Sequence, residues 1–249
     1  MPLSVAAPST APSDPRPAVR RCRPAAAAPV PAPVAAARSG GPRRTALFVR
    51  EFARHPLTTA SLLPSSGALA RAMVPGPAAG APDPGAGRPV VVELGPGTGA
   101  FTAALQHPAG IRPDRHLALE LNPVLGRSLA GDHPDVEVVV GAAADLLDVL
   151  ADRNLLGRVD LVVSGLPWQA FAGPVGARLV PDIARALRPT GAYTQFTYSW
   201  TRWAPPGRRQ LATMRAAFGS VTLTGPVWRN LPPATVYTCR RPAAAARAA

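Results

Sequence analysis

Residues 91–105 have the sequence VVELGPGTGAFTAAL, and this stretch decides the fold. An apolar run ends at the acid Glu93, and three glycines follow at alternate positions before an apolar-periodic segment begins. Gly95, Gly97 and Gly99 permit backbone conformations that other residues rarely adopt. A buried strand that passes through such a turn into a helix is typical of a doubly wound α/β sheet. The stretch therefore predicts a ligand-binding turn at the carboxyl end of a first strand.

The chain beyond this turn continues to alternate between two periodicities. The apolar patterns predict strands at 90–94, 116–121, 136–140, 159–164, 192–198, 221–228 and 234–240. They predict helices at 99–107, 123–130, 143–152, 174–188 and 207–218. Such alternation indicates an α/β fold, with a mostly parallel sheet covered by helices on both faces. The last two strands meet at RNLPPA with no helix between them, which predicts an antiparallel C-terminal hairpin.

Composition divides the chain into four predicted segments: a disordered Ala/Pro/Arg-rich tail 1–42, an amphipathic helical segment 43–75, a folded domain 76–240 and a disordered tail 241–249. The first tail has almost nothing large to bury and cannot offset its ordering entropy. It is either an electrostatic tether or a passive extension.

Residues 43–54 place Phe48 and Phe52 on one face of a predicted helix and arginines on the other. This helix either lies on an anionic membrane or packs on the domain as an ordinary first helix. A second short helix follows in LLPSSGALARAMV, with Ser65 or Ser66 as its predicted N-cap.

The charge of the chain indicates an anionic partner. Net charge is +13, and all 27 basic residues are arginines. The lack of lysine excludes P-loop and Schiff-base chemistry. Two cysteines at opposite ends predict neither a disulfide framework nor a zinc site, and no apolar run is long enough to span a bilayer. We therefore expect a cytoplasmic protein that binds no metal. We expect its partner to be a membrane surface or nucleic acid.

The glycine turn differs from a dinucleotide fingerprint, G-x-G-x-x-G, in its spacing and its neighbours. Pro96 removes one N–H that a diphosphate would use, and Glu93 adds a negative charge. Both features suit an adenosyl ligand with a cationic amino-acid tail. Glu120, at the end of the predicted second strand, is placed to accept hydrogen bonds from both ribose hydroxyls. Together these residues predict S-adenosylmethionine as the cofactor.

The segments VVELGPGTGAFT, ALELN, GAAADL, VVSGLPW, LRPTGAYTQFTY and VWRNLPPATVY resemble class I methyltransferases in content and order. Across residues 45–240 the chain most closely resembles bacterial phospholipid N-methyltransferases, which are relatives of rRNA adenine dimethyltransferases. The resemblance implies a Rossmann-like, seven-stranded sheet of order 3-2-1-4-5-7-6. It also implies cofactor binding by Glu93, Gly95, Gly97, Gly99 and Glu120.

The resemblance leaves two parts of the cofactor site open. Ala142 stands where related enzymes usually carry an Asp that meets the adenine. Either the backbone of Ala142 and Ala143 holds the adenine with help from Asp145, or Asp145 is a helix-start acid that interacts with the helix dipole. Ser164 either contacts the cofactor or caps its strand.

The fourth strand leads into GLPW, residues 165–168, where amino-methylating relatives carry Asn or Asp in the first position. Gly165 lacks the polar side chain that would activate a nucleobase amine, whereas a deprotonated alkyl amine mainly needs alignment. The predicted substrate site comprises Gly165, Leu166, Pro167, Trp168 and Tyr198. Trp168 and the later aromatics Phe171, Trp200 and Trp203 line an ammonium pocket, meet lipid or simply pack.

The sequence therefore predicts a peripheral membrane enzyme that methylates phosphatidylethanolamine and its partly methylated forms toward phosphatidylcholine. The alternatives are methylation of RNA or a small molecule, which the missing polar side chain disfavours for RNA, and a catalytically silent binding protein. Tyr193, Tyr198 and Glu120 are all candidates for the general base, and the sequence does not determine the oligomeric state.

Overall fold

The computed structural model describes residues 65–74, 89–166, 168 and 174–243. Within these ranges the strands are β1 Val90–Leu94, β2 Arg115–Glu120, β3 Glu137–Val140, β4 Val159–Ser164, β5 Leu187–Tyr198, β6 Phe218–Leu223 and β7 Ala234–Pro242. The α-helices are α1 Gly67–Met73, α2 Ala100–Gln106, α3 Pro123–Asp132, α4 Leu146–Ala151, α5 Pro174–Ala186 and α6 Pro205–Ala217. The predicted helix with Phe48 and Phe52 lies outside the described residues, as do Pro167 and Phe171.

The strands of these ranges form one seven-stranded sheet of order β3-β2-β1-β4-β5-β7-β6. The pairs from β3 to β5 are parallel, and β7 is antiparallel to both β5 and β6. The predicted order and C-terminal hairpin are confirmed. The strand order reverses between β1 and β4, so the loops after these strands open a crevice at one side of the sheet. We call this side, where the parallel strands end, the carboxyl edge.

The central strands are buried on both faces, which explains why their sequences are apolar almost without interruption. Val91 and Leu161 pack with α1 and α2 on one face. Val92 and Val162 belong to the core that includes residues of α4, α5 and α6 on the other face. Cys239 of β7 is buried in this second core, and burial raises the pKa of its thiol to about 12. Among the described helices, none is both long and apolar enough to cross a bilayer.

The short helix α1 is tied to the C-terminal half at both ends. Ser66 is its N-cap, as predicted, and its Oγ accepts the Leu69 N–H at 3.1 Å. The Ser66 N–H donates to Oδ1 of Asn230 at 3.0 Å, while Thr194 Oγ1 donates to the Met73 carbonyl at 3.0 Å. A seven-residue helix is marginal alone, so these links and its buried face hold it in place.

Strand β6 lies earlier in the chain than the predicted strand at 221–228. The helix α6 passes directly into β6 at Phe218, and the ladder with β7 ends at Leu223. Pro226 lacks the N–H that a continuing ladder needs, and Val227 then makes only an isolated bridge to Ala234. The apolar residues beyond Leu223 therefore belong to the hairpin loop.

We predict that Asn230→Ala lowers the free energy of unfolding by about 1–3 kcal/mol, because a buried side chain that joins two segments is lost. Asn230 is buried, and its Nδ2 also donates to the Pro232 carbonyl at 2.8 Å. Chemical denaturation measures the change. Arg229→Ala, at the exposed neighbouring position, is the control and should change stability by less than about 0.5 kcal/mol. Equal effects of the two substitutions would contradict the assigned link.

Candidate functional site

The glycine turn after β1 has a left-handed backbone at all three glycines, with φ of 64° at Gly95, 57° at Gly97 and 79° at Gly99. A Cβ on Gly95 would lie 2.7 Å from Cδ2 of Leu166, and one on Gly99 would lie 2.7 Å from Cδ1 of Leu129. A Cβ on Gly97 would meet nothing within 4 Å. The left-handed backbone is what favours glycine at all three positions. A Cβ on Gly95 or Gly99 would in addition displace the end of a leucine side chain, whereas Gly97 faces open space.

Glu120 at the end of β2 holds this turn. Its Oε2 accepts the Gly97 N–H at 3.0 Å, and its Oε1 accepts the Asn122 N–H at 2.9 Å. Burial raises the pKa of Glu120, and the amides of Asn122 and Gly97 oppose that shift. A carboxylate oxygen has more than one acceptor position, so these bonds leave capacity for ribose hydroxyls. The geometry is compatible with the predicted ribose role and adds a structural one.

Glu93 lies fully buried behind the turn in a polar cluster. Its Oε2 accepts the Thr102 hydroxyl at 2.6 Å and lies 3.2 Å from Nε2 of His116. The other ring nitrogen of His116, Nδ1, lies 3.0 Å from Nε2 of Gln106. Oε1 of Glu93 has no hydrogen-bond partner among the described residues. A buried carboxylate oxygen in that state suits a ligand that brings a donor.

Sequence reasoning missed the residues that surround Glu93. Thr102 and Gln106 lie one helical turn apart on α2, and His116 is on the adjacent strand β2. The spacing of Thr102 and Gln106 was the available signal, because residues four apart share a helix face. The sequence does not show that β2 faces this side of α2, because that contact exists only in the assembled sheet.

The turn after β4 approaches the glycine turn more closely than a side chain would allow. The Gly165 N–H donates to the Leu94 carbonyl at 2.8 Å. A Cβ at position 165 would lie 2.4 Å from the Gly95 carbonyl oxygen. Gly165 is the position at which the resemblance implies Asn or Asp in amino-methylating enzymes, and this close contact leaves no space there for a longer side chain. The described backbone therefore has no room for such a side chain at this position.

Ser164 and Trp168 stabilise the same turn. The Ser164 Oγ accepts the Leu166 N–H at 3.3 Å and the indole N–H of Trp168 at 3.1 Å. Trp168 is buried, and its ring packs edge-to-face against Tyr193 with centroids 6.4 Å apart. The contacts correspond to the capping alternative for Ser164 and the packing alternative for Trp168.

The predicted adenine region forms a short 3₁₀ turn at Ala143–Asp145. The Asp145 Oδ2 accepts the Ala142 N–H at 3.2 Å, and the Ala142 carbonyl accepts the Asp145 N–H at 3.0 Å. The exposed Asp145 therefore closes its own turn, as the helix-start alternative requires. Ala142 and Ala143 lie half-buried at the end of β3, on the carboxyl edge.

Aromatic side chains continue past the end of β5. Tyr198 is half-buried, and its ring lies 6.0 Å from Phe196 and 6.1 Å from Trp200 between centroids. Tyr193 is fully buried and donates to Oε1 of Gln195 at 2.5 Å. Burial raises the pKa of both tyrosines, that of Tyr193 most strongly. Both hydroxyls therefore keep their protons near neutral pH, which does not suit a general base.

We predict that Gly165→Ala lowers the free energy of unfolding by about 1–3 kcal/mol and weakens cofactor binding, because the added methyl forces the two turns apart. Denaturation and calorimetry measure the two effects. Gly131→Ala on α3 is the matched control, since a Cβ there would meet nothing within 4 Å. That change should leave stability equal or raise it by up to about 1 kcal/mol. Unchanged stability and affinity in Gly165→Ala would contradict the close contact.

Comparisons with known proteins were made at the level of sequence and of fold. No protein-family model matches the chain. The chain is 33% identical over 201 residues to the ornithine lipid N-methyltransferase of Singulisphaera acidiphila. This alignment covers 78% of the chain and 94% of that relative.

Solved structures share the fold at low identity. A TehB-like S-adenosylmethionine-dependent methyltransferase from Corynebacterium glutamicum is 18% identical, with a TM-score of 0.50 over 79% of this chain and 98% of that one. A chain in a Haloferax volcanii complex that contains the Trm112 methyltransferase activator is 16% identical, with a TM-score of 0.50 over 80% and 95%.

The predicted class I methyltransferase fold and the enzyme class are thereby confirmed. The predicted likeness to phospholipid N-methyltransferases is confirmed only as far as a lipid N-methyltransferase, and the link to rRNA dimethyltransferases stays a prediction. Since the identity extends over almost the whole of the Singulisphaera protein, the chain belongs to the family of S-adenosylmethionine-dependent methyltransferases that includes this ornithine lipid N-methyltransferase.

Proposed function

We propose that the chain transfers methyl groups from S-adenosylmethionine to the aliphatic amine of a membrane lipid head group. The observation that carries the proposal is the 33% identity across 94% of an ornithine lipid N-methyltransferase. Ornithine lipids and phosphatidylethanolamine both present a primary alkyl amine on a lipid. The proposal covers this shared chemistry, and the acceptor assay below separates the two lipids.

The described residues fit S-adenosylmethionine at three points of the crevice. Gly97 leaves open space where a ligand can approach the backbone. Oε1 of Glu93 is a buried acceptor without a partner in the described ranges, which suits the ammonium of the methionine portion. Glu120 is buried at the tip of β2, where the ribose is expected. These residues would hold the cofactor across the switch point of the sheet.

The close contact between Gly165 and Gly95 supports an alkyl amine as the acceptor. The amine of a nucleobase is a weak nucleophile and needs a polar side chain to accept its hydrogen. Position 165 has no space for one, because a Cβ would lie 2.4 Å from the Gly95 carbonyl oxygen. An alkyl amine is a good nucleophile once it is deprotonated, so the protein mainly has to align it.

S-adenosylmethionine would supply an electrophilic methyl on its sulfonium: each transfer would break one S–C bond, form one N–C bond, and leave S-adenosylhomocysteine and one proton from the amine. The chain's part is to orient the acceptor and exclude water. Tyr198, at the end of β5 and half-buried, offers a ring to an ammonium that gains methyl groups. The buried Trp168 and Tyr193 pack against each other on the other face of the sheet, in the core that includes α4, α5 and α6.

We predict that Glu120→Ala weakens S-adenosylhomocysteine binding by about tenfold or more, because charge-assisted hydrogen bonds to the ribose contribute about 1.5–3 kcal/mol each. Calorimetry is done with S-adenosylhomocysteine and with an analogue that lacks both ribose hydroxyls. The comparison separates the loss of hydrogen bonds to the ribose from damage to the Gly97 turn. The analogue should bind wild type more weakly than the parent ligand does, whereas the variant should hardly distinguish the two.

The control for the removal of an acid is Glu137→Ala, since Glu137 forms ion pairs with Arg115 and Arg153 at the surface of β3. Affinity should remain unchanged in this variant. If removal of the ribose hydroxyls from the ligand lowers its affinity by the same factor for wild type and for Glu120→Ala, Glu120 does not bind the ribose.

We predict that the purified chain transfers labelled methyl groups to lipid in detergent micelles that contain ornithine lipid or phosphatidylethanolamine. Lipid chromatography and mass spectrometry identify the methylated head group. Gly97→Val should abolish transfer while the far-UV circular dichroism remains native, because its side chain enters the space that faces the cofactor. Label that enters an adenine-containing RNA but neither lipid would overturn the proposal.

A further inference from the structure

The exposed large apolar residues of the described ranges are concentrated at one edge of the sheet. Seven of eight lie at the carboxyl edge, and Leu156 before β4 is the exception. The most exposed are Trp200, Trp203, Trp228 and Leu231, at 63%, 68%, 76% and 74%. We call these four residues the tryptophan face. A group of large apolar side chains on one surface indicates a site of interaction.

The tryptophan face is built on two connections that the sheet brings together. Trp200 and Trp203 follow β5, while Trp228 and Leu231 lie in the loop between β6 and β7. The Ser199 N–H donates to the Pro233 carbonyl at 2.9 Å, which joins the two connections. Trp228 and Leu231 flank the buried Asn230, whose amide binds Ser66 and Pro232. Their exposure is therefore a feature of an anchored loop.

The chain segments that carry this face have charged residues of one sign. From Ile183 to the end, the chain has ten arginines and no Asp or Glu. Arg202, Arg208 and Arg229 belong to the same two connections or to the start of α6, and no ion pair joins them to an acid within the described residues. Arg202 stacks on the ring of Trp203, with its Cζ 4.2 Å from the ring centroid.

A cavity of about 620 Å³ lies beside the tryptophan face and combines the same two properties. Trp203, Leu211 and Leu223 contribute apolar walls, and Arg202, Arg208 and Arg215 surround it. The surface therefore offers a recess in which apolar groups meet aliphatic walls while an anionic group meets guanidinium groups. An acyl chain with an anionic head group has this combination.

We propose that the tryptophan face and its arginines dock the protein on an anionic lipid bilayer. The proposal rests on the proposed function for its choice of partner, since the methyl acceptor would be in the same leaflet. Tryptophan rings sit well at the head-group level, and arginines are attracted to acidic lipids. Because the crevice at Gly97 opens at the same carboxyl edge, docking by this face turns the site toward the membrane.

Two other partners fit the charge and shape less well. A second copy would bring arginines against arginines, since this part of the chain has no acid to pair with them. Single-stranded nucleic acid stacks on aromatic rings, but Leu231 and Leu223 offer aliphatic surface that does not stack. Both alternatives are outcomes of the test below.

The test is binding of the full chain to vesicles of phosphatidylglycerol and phosphatidylcholine, which contain no primary amine for methylation. Three of the four tryptophans belong to the tryptophan face, so a blue shift of fluorescence and quenching by brominated acyl chains report its insertion. We expect binding that requires phosphatidylglycerol and weakens with salt. Trp228→Glu with Leu231→Glu should reduce it about tenfold or more.

The matched control is Ala151→Glu with Leu156→Glu, which adds the same two charges at exposed positions on the opposite edge. It should bind vesicles as wild type does. The Trp228/Leu231 variant should still methylate a short-chain lipid acceptor that is soluble as a monomer. This assay with a monomeric acceptor needs no membrane, so it distinguishes loss of docking from loss of the proposed methyltransferase activity.

Three results would overturn the proposal. One is equal vesicle binding by wild type and the Trp228/Leu231 variant, above all if Phe48→Asp with Phe52→Asp abolishes it instead. Another is dimerisation of the wild type that the Trp228/Leu231 substitution removes, with no vesicle binding. The third is a single-stranded oligonucleotide that binds this face while the vesicles do not.

Discussion

The approach of two backbone turns at the switch point of the sheet is the constraint on which the site depends. Gly165 donates to the Leu94 carbonyl, and its α-carbon lies so near the Gly95 carbonyl that a methyl group would not fit. Gly95 in turn packs against Leu166. The loops after β1 and β4 therefore form one unit, and the shape of the crevice follows from the contact between them.

In the proposed function, this contact also limits the chemistry that the protein can assist. Because position 165 has no side chain, the polar groups near the cofactor loop come from elsewhere: Glu120 holds Gly97 and Asn122, and Glu93 lies behind the turn with Thr102 and His116. These buried groups organise the cofactor loop and leave the acceptor side with aromatic rings. A site of this kind can hold S-adenosylmethionine and align an amine.

The acidic residues and the tryptophan face lie in different parts of the chain. All fourteen acidic residues precede Ile183, and so does the cofactor loop. The segment from Ile183 to the end, which contains β5, β6, β7 and α6, has only arginines as charged residues and carries the tryptophan face. Because strands of both parts belong to one sheet, the cofactor loop and the proposed docking face share the carboxyl edge.

The sequence by itself determined the alternation of strands and helices, the glycine turn and the C-terminal hairpin, because these depend on local periodicity, glycine conformation and the absence of a helix between β6 and β7. The strand order followed from the resemblance to class I methyltransferases, and the sheet confirms it. It misplaced β6, since α6 enters that strand without a loop and Pro226 ends its ladder. Only the tertiary structure decided the hydrogen-bond partners of Glu93, Ser164 and Asp145, and the exposure of Trp228 beside the buried Asn230. These features arise where segments distant in the chain meet. Position 165 is one example: it requires glycine because the carbonyl of Gly95, seventy positions earlier in the chain, lies against it.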